Sequence, residues 1–180
     1  SRTVIRSPKS YNSQVGVALS LMNLDESHEI AVIEAGISRP GEMERLARII
    51  RPDIVIITNV GDAHGENFSG REAIAVEKIR LASGAQLLIC NADDRIIRNE
   101  MASKYPEVPL FTWSLAGNAA SLEVEAADTV DNGRTLRCKT ADESFEAAIP
   151  FADHASAENA VSVIACCLAE KMPSELIAGA

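Results

Sequence analysis

Residues 30–58 have the sequence IAVIEAGISRPGEMERLARIIRPDIVIIT. Two short apolar runs, Ile30 to Glu34 and Ile54 to Thr58, flank a segment whose apolar residues recur with helical spacing. A strand, a helix and a second strand in this order form a βαβ unit, which places the two strands parallel in one sheet. This stretch therefore predicts an α/β fold.

The same alternation continues on both sides of this unit. Further strands are predicted at Thr3 to Arg6, Leu87 to Asn91 and Leu110 to Trp113, and helices near residues 14–23, 41–51, 71–83 and 94–104. Nearly continuous apolar strands are typical of a sheet covered on both faces. Ser38 or a neighbouring residue is expected to cap the helix over residues 41–51, with Glu42 at the positive end of its dipole.

After residue 120 the pattern changes. Residues 121–149 alternate between apolar and polar side chains around Asn132-Gly133, which predicts a small antiparallel segment. An apolar helix over residues 157–170 and a further helical turn over residues 173–178 follow. We therefore predict one domain over residues 1–180, built on a mostly parallel, doubly wound sheet with a small antiparallel part.

Composition excludes several classes of protein. The formal net charge of −9 and a pI near 4.8 argue against a nucleic-acid partner, which would select clustered Lys and Arg. The sequence has no apolar run long enough for a membrane span and no signal-peptide pattern at its start. Its four cysteines show no C-x-x-C pair or secreted disulfide spacing, so reduced thiols and a cytoplasmic location are expected.

Two polar residues follow predicted strands, where open parallel sheets bind their ligands. Glu34 ends the strand that begins at Ile30, and His64 follows the next strand through a short loop. A carboxylate and an imidazole on neighbouring strand ends can ligate one divalent cation. The alternatives remain an exposed strand-end acid and a solvated loop histidine.

Lys78 is a third candidate because of its place on its helix. Projected at 100° per residue, it falls among Ile74, Ala75 and Leu81, whereas Glu77 and Arg80 fall towards the opposite face. A lysine within an apolar arc must extend its ammonium to solvent, pair with an acid or change its chemistry. Carbamylation by carbon dioxide is one such change, since it creates a carboxylate that can ligate metal.

Several segments, taken together in their order and spacing, resemble the central domain of the Mur ligases. These segments are Glu34-Ala35-Gly36, Gly41-Glu42, Ala63-His64-Gly65-Glu66-Asn67-Phe68, Lys78 and Asn91-Ala92-Asp93-Asp94. The opening residues 7–16 are similar to the Asn-rich segment of this family. The sequence of these segments is most similar to that of family members that add a dipeptide, particularly the Bacteroidetes forms fused ahead of an alanine racemase.

The resemblance implies a role for each matching residue. Glu34 and His64 would be magnesium ligands, and Lys78 would be a carbamylated lysine that supports a second magnesium ion. Asn159 matches an asparagine that contacts adenine, although Ala155 and Ser156 replace two other residues of that segment. Two further candidates are Asn91 for the nucleotide and Asn12 near the substrate and metal, the latter with a turn-forming asparagine as its alternative.

The resemblance also implies an activity, with ATP and Mg²⁺ as cofactors. The intact enzyme would join D-alanyl-D-alanine to UDP-N-acetylmuramoyl-tripeptide through an acyl phosphate, in peptidoglycan precursor synthesis. The sequence has no Gly-x-x-Gly-Lys-Thr. We therefore expect a fragment that lacks the phosphate-binding loop, is inactive alone and works with flanking N- and C-terminal ligase domains. A different Mur or folylpolyglutamate-type ligase and a non-catalytic Rossmann-like binding module remain alternatives.

Overall fold

The computed structural model describes residues 2–60, 67–129 and 133–179. These residues form eight strands and six helices, which alternate from β1 to β5. The strands are β1 (Val4–Arg6), β2 (Ile30–Val32), β3 (Ile54–Ile57), β4 (Leu87–Asn91), β5 (Leu110–Ser114), β6 (Leu122–Asp128), β7 (Arg134–Lys139) and β8 (Ser144–Ile149). The helices are α1 (Gln14–Leu21), α2 (Glu42–Ile50), α3 (Arg71–Ile79), α4 (Arg95–Lys104), α5 (His154–Ala169) and α6 (Ser174–Ala178), with a 3₁₀ turn over Arg80–Ala82.

The strands form two sheets. Strands β1 and β2 pair in parallel as a two-stranded sheet. The other six follow chain order from β3 to β8, with parallel ladders from β3 to β6 and antiparallel ladders from β6 to β8. The α/β fold class, the mostly parallel pairing and the antiparallel segment are thus confirmed. The division of the strands into two sheets was not predicted.

Strand β4 of the larger sheet is buried on both faces, since its successive side chains point to opposite sides and Leu88, Ile89 and Cys90 are all fully buried. Leu88 on β4 belongs to a core that includes Val17 of α1, Leu46 of α2 and Ile97 of α4. Its neighbour Ile89 belongs to a second core, formed with α5, α6 and the antiparallel strands. The sheet is therefore doubly wound, with one hydrophobic core on each of its faces. In the described part of the chain, no helix has the length and apolar character that crossing a bilayer requires.

The smaller sheet differs from the expectation that every strand is covered on both faces. Val4 of β1 is 53% exposed and Val32 of β2 is 57% exposed. The free edge of β2 pairs with no other strand in residues 2–60, 67–129 or 133–179, and the same holds for the free edge of β3. Apolar composition predicted these strands correctly, but their burial depends on neighbours.

The N-cap of α2 is Gly41 and not Ser38. Gly41, with φ of 84°, occupies the N-cap position and offers no side-chain hydrogen bond. Ser38 instead donates its backbone N–H to the carboxylate of Glu42 at 2.6 Å, and Arg39 does the same at 2.9 Å. The hydrogen bond from Ser38 is the main reason that the pKa of Glu42 lies below its usual value. Glu42 therefore closes the loop before α2, and Ser38 is not the cap.

Candidate functional site

Glu34 lies just beyond β2, next to Asn12. Its carboxylate Oε1 accepts a hydrogen bond from Asn12 Nδ2 at 2.7 Å, and its backbone N–H donates to Ser7 Oγ at 3.0 Å. The backbone N–H of Gly36 donates to the carbonyl of Asn12 at 2.9 Å. A Cβ at Gly36 would lie 2.9 Å from Asn12 Cγ, so a side chain at this position would displace Asn12. The structure thus brings together two of the predicted residues, Asn12 and Glu34.

Lys78 lies beside the exit of β3. Its Nζ donates a hydrogen bond to the carbonyl of Asn59, 2.7 Å away and two residues beyond the end of the strand. Burial lowers the pKa of Lys78, because an ammonium loses hydration in a partly apolar site. A neutral amine is the form that reacts with carbon dioxide, so this environment suits carbamylation. No hydrogen bond or ion pair within the described ranges joins Lys78 to Glu34.

His64 belongs to residues 61–66, outside the described residues. Among the residues that are described, no three His, Cys, Asp or Glu side chains group closely enough to hold a metal ion. Glu34 supplies oxygen atoms, the donor type that Mg²⁺ prefers, and a carbamate on Lys78 would supply two more. The donor chemistry of Glu34 and of a carbamylated Lys78 is therefore compatible with magnesium.

A second group of polar residues lies at the carboxyl ends of β4 and β5. Asn91 Nδ2 donates to Glu158 Oε1 at 3.4 Å, which links the end of β4 to α5. Asn159, the predicted adenine contact, is the next residue on that helix and is exposed. Sequence reasoning missed Glu158, although it stands beside Asn159 in the same motif. The structure thus places Asn91 in contact with Glu158, the residue that precedes Asn159 on α5.

Asp93 organises the loop after β5. Its carboxylate accepts hydrogen bonds from the Ser114 hydroxyl at 2.6 Å, the Asn118 amide at 2.8 Å and the Leu115 N–H at 3.0 Å. Partial burial alone would raise the pKa of Asp93, but these bonds outweigh it and lower the pKa. The next residue, Asp94, caps α4 and pairs with Arg71 at 2.9 Å. Asp93 and Asp94 therefore hold together β4, the loop after β5 and the start of α4.

Glu77 is buried, which the helix projection did not predict. The projection places Glu77 on the side of α3 opposite the apolar arc, yet its side chain is only 3% exposed. The reason is that this face packs against the start of α2, where Glu77 Oε1 accepts the Met43 N–H at 3.0 Å. A projection of one helix carries no information about a neighbouring helix. The sequence signal that could have drawn attention to Glu77 is its position directly before Lys78.

Taken together, the fold and these residues define a class of protein. It is a doubly wound α/β domain whose polar side chains gather at the carboxyl ends of parallel strands, the edge where such domains bind ligands. The family follows from comparison with known proteins. The model of the Mur ligase middle domain matches residues 2–167, and the chain belongs to this family.

Individual relatives include a ligase that is similar in sequence and two MurF structures that are similar in fold. The chain is 34% identical over 93 residues to UDP-N-acetylmuramoyl-tripeptide–D-alanyl-D-alanine ligase of Bacillus subtilis, a match that covers 50% of this chain and 20% of the relative. Its fold matches MurF of Acinetobacter baumannii with a TM-score of 0.88 at 22% identity, over 99% of this chain and 39% of that one. MurF of Thermotoga maritima, solved in complex with ADP, matches with a TM-score of 0.81 at 21% identity, over 96% of this chain and 40% of that one. The chain thus spans well under half the length of each relative.

Proposed function

We propose that this chain is the central domain of an ATP-dependent ligase that joins D-alanyl-D-alanine to UDP-N-acetylmuramoyl-tripeptide. The observation that carries the proposal is the match to the Mur ligase middle domain over residues 2–167, which includes the Glu34 and Lys78 positions. The substrates are those after which the relatives similar in sequence are named. The cytoplasm, where UDP-linked precursors and ATP are found, is the proposed location.

The proposed reaction has two steps. A carboxylate is a poor electrophile, so the γ-phosphoryl group of ATP is first transferred to the terminal carboxylate of the tripeptide, which gives an acyl phosphate and ADP. The amine of D-alanyl-D-alanine then attacks the acyl carbon. A C–N bond forms, the C–O bond to phosphate breaks, and phosphate and a proton are released. Catalysis of such a transfer depends mainly on positioning and on neutralising phosphate charge.

The residues of this chain contribute the positioning. Mg²⁺, when bound, would neutralise charge between the nucleotide and the acyl group. Glu34 would hold it, with Asn12 fixing the Glu34 carboxylate through the 2.7 Å hydrogen bond. Lys78 would contribute as a carbamate, whose remaining N–H can keep the hydrogen bond to the Asn59 carbonyl. His64 is the proposed magnesium ligand beside Glu34, and Asn91 and Asn159 are the proposed nucleotide contacts.

The missing phosphate-binding loop is proposed to lie in the part of the full-length protein that this chain does not span. The free edges of β2 and β3 support this, because an unpaired parallel strand edge has N–H and C=O groups ready for another strand. A strand between them would join the two sheets into one and bring a loop close to Glu34 and Asn59. The flanking regions of the full-length protein would also supply positive charge for the anionic substrates, which this acidic chain does not offer.

The test is phosphate release from ATP by the full-length ligase with UDP-N-acetylmuramoyl-tripeptide, with and without D-alanyl-D-alanine. We expect release that depends on the dipeptide. Lys78→Ala should reduce it at least about 100-fold, since a group ligating the metal is lost. Short carboxylates added to the variant should restore part of the activity by replacing the carbamate.

The matched control is Lys104→Ala, which removes a lysine that pairs with Glu100 at 2.9 Å on α4. It should leave the rate unchanged. Release that is equal with and without the dipeptide, or that requires glutamate in its place, would overturn the proposed substrate. If no phosphate is released with any acyl acceptor, the ligase function is wrong and the alternative of a non-catalytic binding module remains.

A further inference from the structure

Glu77 is a buried carboxylate that the proposed reaction does not use. Its side chain is 3% exposed, in the last turn of α3. Oε1 accepts a hydrogen bond from the Met43 backbone N–H at 3.0 Å, and Oε2 lies 3.1 Å from Arg80 Nη1. Burying a carboxylate is costly unless hydrogen bonds and charge compensate it. The two contacts therefore indicate why an acid is tolerated here.

The Met43 N–H needs an acceptor from outside its own helix. Met43 is the second residue of α2, and N–H groups in a first helical turn have no partner within the helix. The N-cap Gly41 has no side chain to accept the bond, and the Glu42 carboxylate is turned back to Ser38 and Arg39. Met43 is 2% exposed, so water cannot replace the missing acceptor. Glu77 is thus a cap supplied to α2 by α3.

This cap joins the two described halves of the candidate site. Residues 33–41 lead from β2 into α2 and carry Glu34, while Glu77 precedes Lys78 on α3. The Met43 to Glu77 hydrogen bond therefore ties the end of the Glu34 loop to the helix that presents Lys78. An ionised acceptor at a helix N-terminus is stronger than a neutral one, because it also interacts with the helix dipole.

We propose that Glu77 is a positioning residue, which fixes the Glu34 loop relative to Lys78 and so sets the metal affinity of the site. The proposal rests on the proposed function, since Glu34 and Lys78 are its metal-binding residues. Glu77 itself touches neither metal nor substrate. Its effect is expected on the magnesium requirement of the ligase, which a residue that only stabilises the fold would not change.

The test uses the full-length ligase and three variants. Glu77→Ala removes the acceptor and should raise the magnesium concentration for half-maximal activity about 10-fold, as losses of supporting residues around metal sites do. Glu77→Gln keeps an acceptor oxygen for the Met43 N–H, and the increase should stay below about threefold, because a neutral bond is weaker but present. Arg80→Gln removes only the ion pair at the half-exposed Arg80 and should behave like Glu77→Gln.

A matched control separates positioning from stability. Val124→Ala shortens a buried side chain of β6 in the second core, away from α2 and α3. It should lower the melting temperature and leave the magnesium requirement unchanged. If Glu77→Ala also lowers only the melting temperature, Glu77 has a purely structural role and the proposal is wrong.

Hydrogen exchange of the full-length protein, followed by mass spectrometry, tests the tether without any assay of activity. Peptides covering residues 33–43 should exchange faster in Glu77→Ala than in Val124→Ala, at matched stability. Equal exchange would overturn the tether. If the wild-type protein releases no phosphate but Glu77→Ala still accelerates exchange, the tether is supported and the ligase function is wrong. The two failures are therefore distinguishable.

Discussion

The parallel strands of the two sheets are similarly apolar, yet they differ in how deeply they are buried. Strands β3 to β5 lie between two cores, whereas β1 and β2 expose Val4 and Val32. The strands compared here all pair in parallel, β1 with β2 and β3 to β5 with one another. The difference shows that apolar composition determines where a strand forms, while its neighbours determine how much it contributes to stability.

The largest expected effect is in the core of the larger sheet. Leu88→Ala on β4 should lower the free energy of unfolding by about 3 kcal/mol, because a fully buried leucine leaves a cavity. The smaller truncation Val32→Ala on β2 should cost less than about 1 kcal/mol, since its side chain is mostly hydrated already. Urea denaturation of both variants measures the contrast. Equal losses would mean that the smaller sheet is buried in solution.

An intermediate effect is expected at Asp93, which holds the strand ends of the larger sheet. Asp93→Asn should cost about 1 to 2 kcal/mol at neutral pH, less than a fully buried network because the carboxylate is partly hydrated. The folded-state pKa is below the unfolded value of 3.8, so the stabilisation is fully present above that value. It is lost as the pH falls through the lower folded pKa.

Denaturation curves at several pH values check this sign. The difference between wild type and Asp93→Asn should be constant near neutrality and should narrow below about pH 4. A difference that grows as the pH falls would contradict a lowered pKa for Asp93.

The smallest effect is expected where the smaller sheet ends. Ser7→Ala removes the hydroxyl that accepts the Glu34 N–H at 3.0 Å, in an exposed setting, so it should cost at most about 1 kcal/mol. Amide exchange at Glu34 should accelerate, because this N–H loses its partner. The control is Ser10→Ala, an exposed serine whose side chain makes no hydrogen bond in the described ranges. Similar exchange at Glu34 in both variants would show that Ser7 does not hold the loop.

Much of the fold could be predicted from the sequence, because strand and helix periodicities depend on local side chains. The strand from Leu87 to Asn91 and the antiparallel segment with its change of pattern are examples. Helix α5 begins three residues before its predicted start, since Asp153 caps it through the Ser156 N–H at 2.8 Å. Lys78 was identified as unusual from its apolar neighbours, and its lowered pKa agrees with that position.

The remaining features depend on contacts between elements distant in sequence, which periodicity does not encode. Glu77 is buried by the start of α2, 34 residues earlier in the chain. The separation of β2 from β3 depends on which strand edges meet. Asn12 could be proposed only by resemblance, because its contact with Glu34 joins residues 22 positions apart.

One ion pair has a consequence for the order of folding. Arg2 Nη1 lies 2.7 Å from Glu170 Oε2, so the chain just before β1 contacts the end of α5, 168 positions later. Closing so long a loop has a high entropic cost, and contacts of this kind form after the local helices and strand pairs. Both side chains are about half exposed, so added salt should weaken the pair. We expect the two-stranded sheet to dock last, and to dock more slowly at high ionic strength.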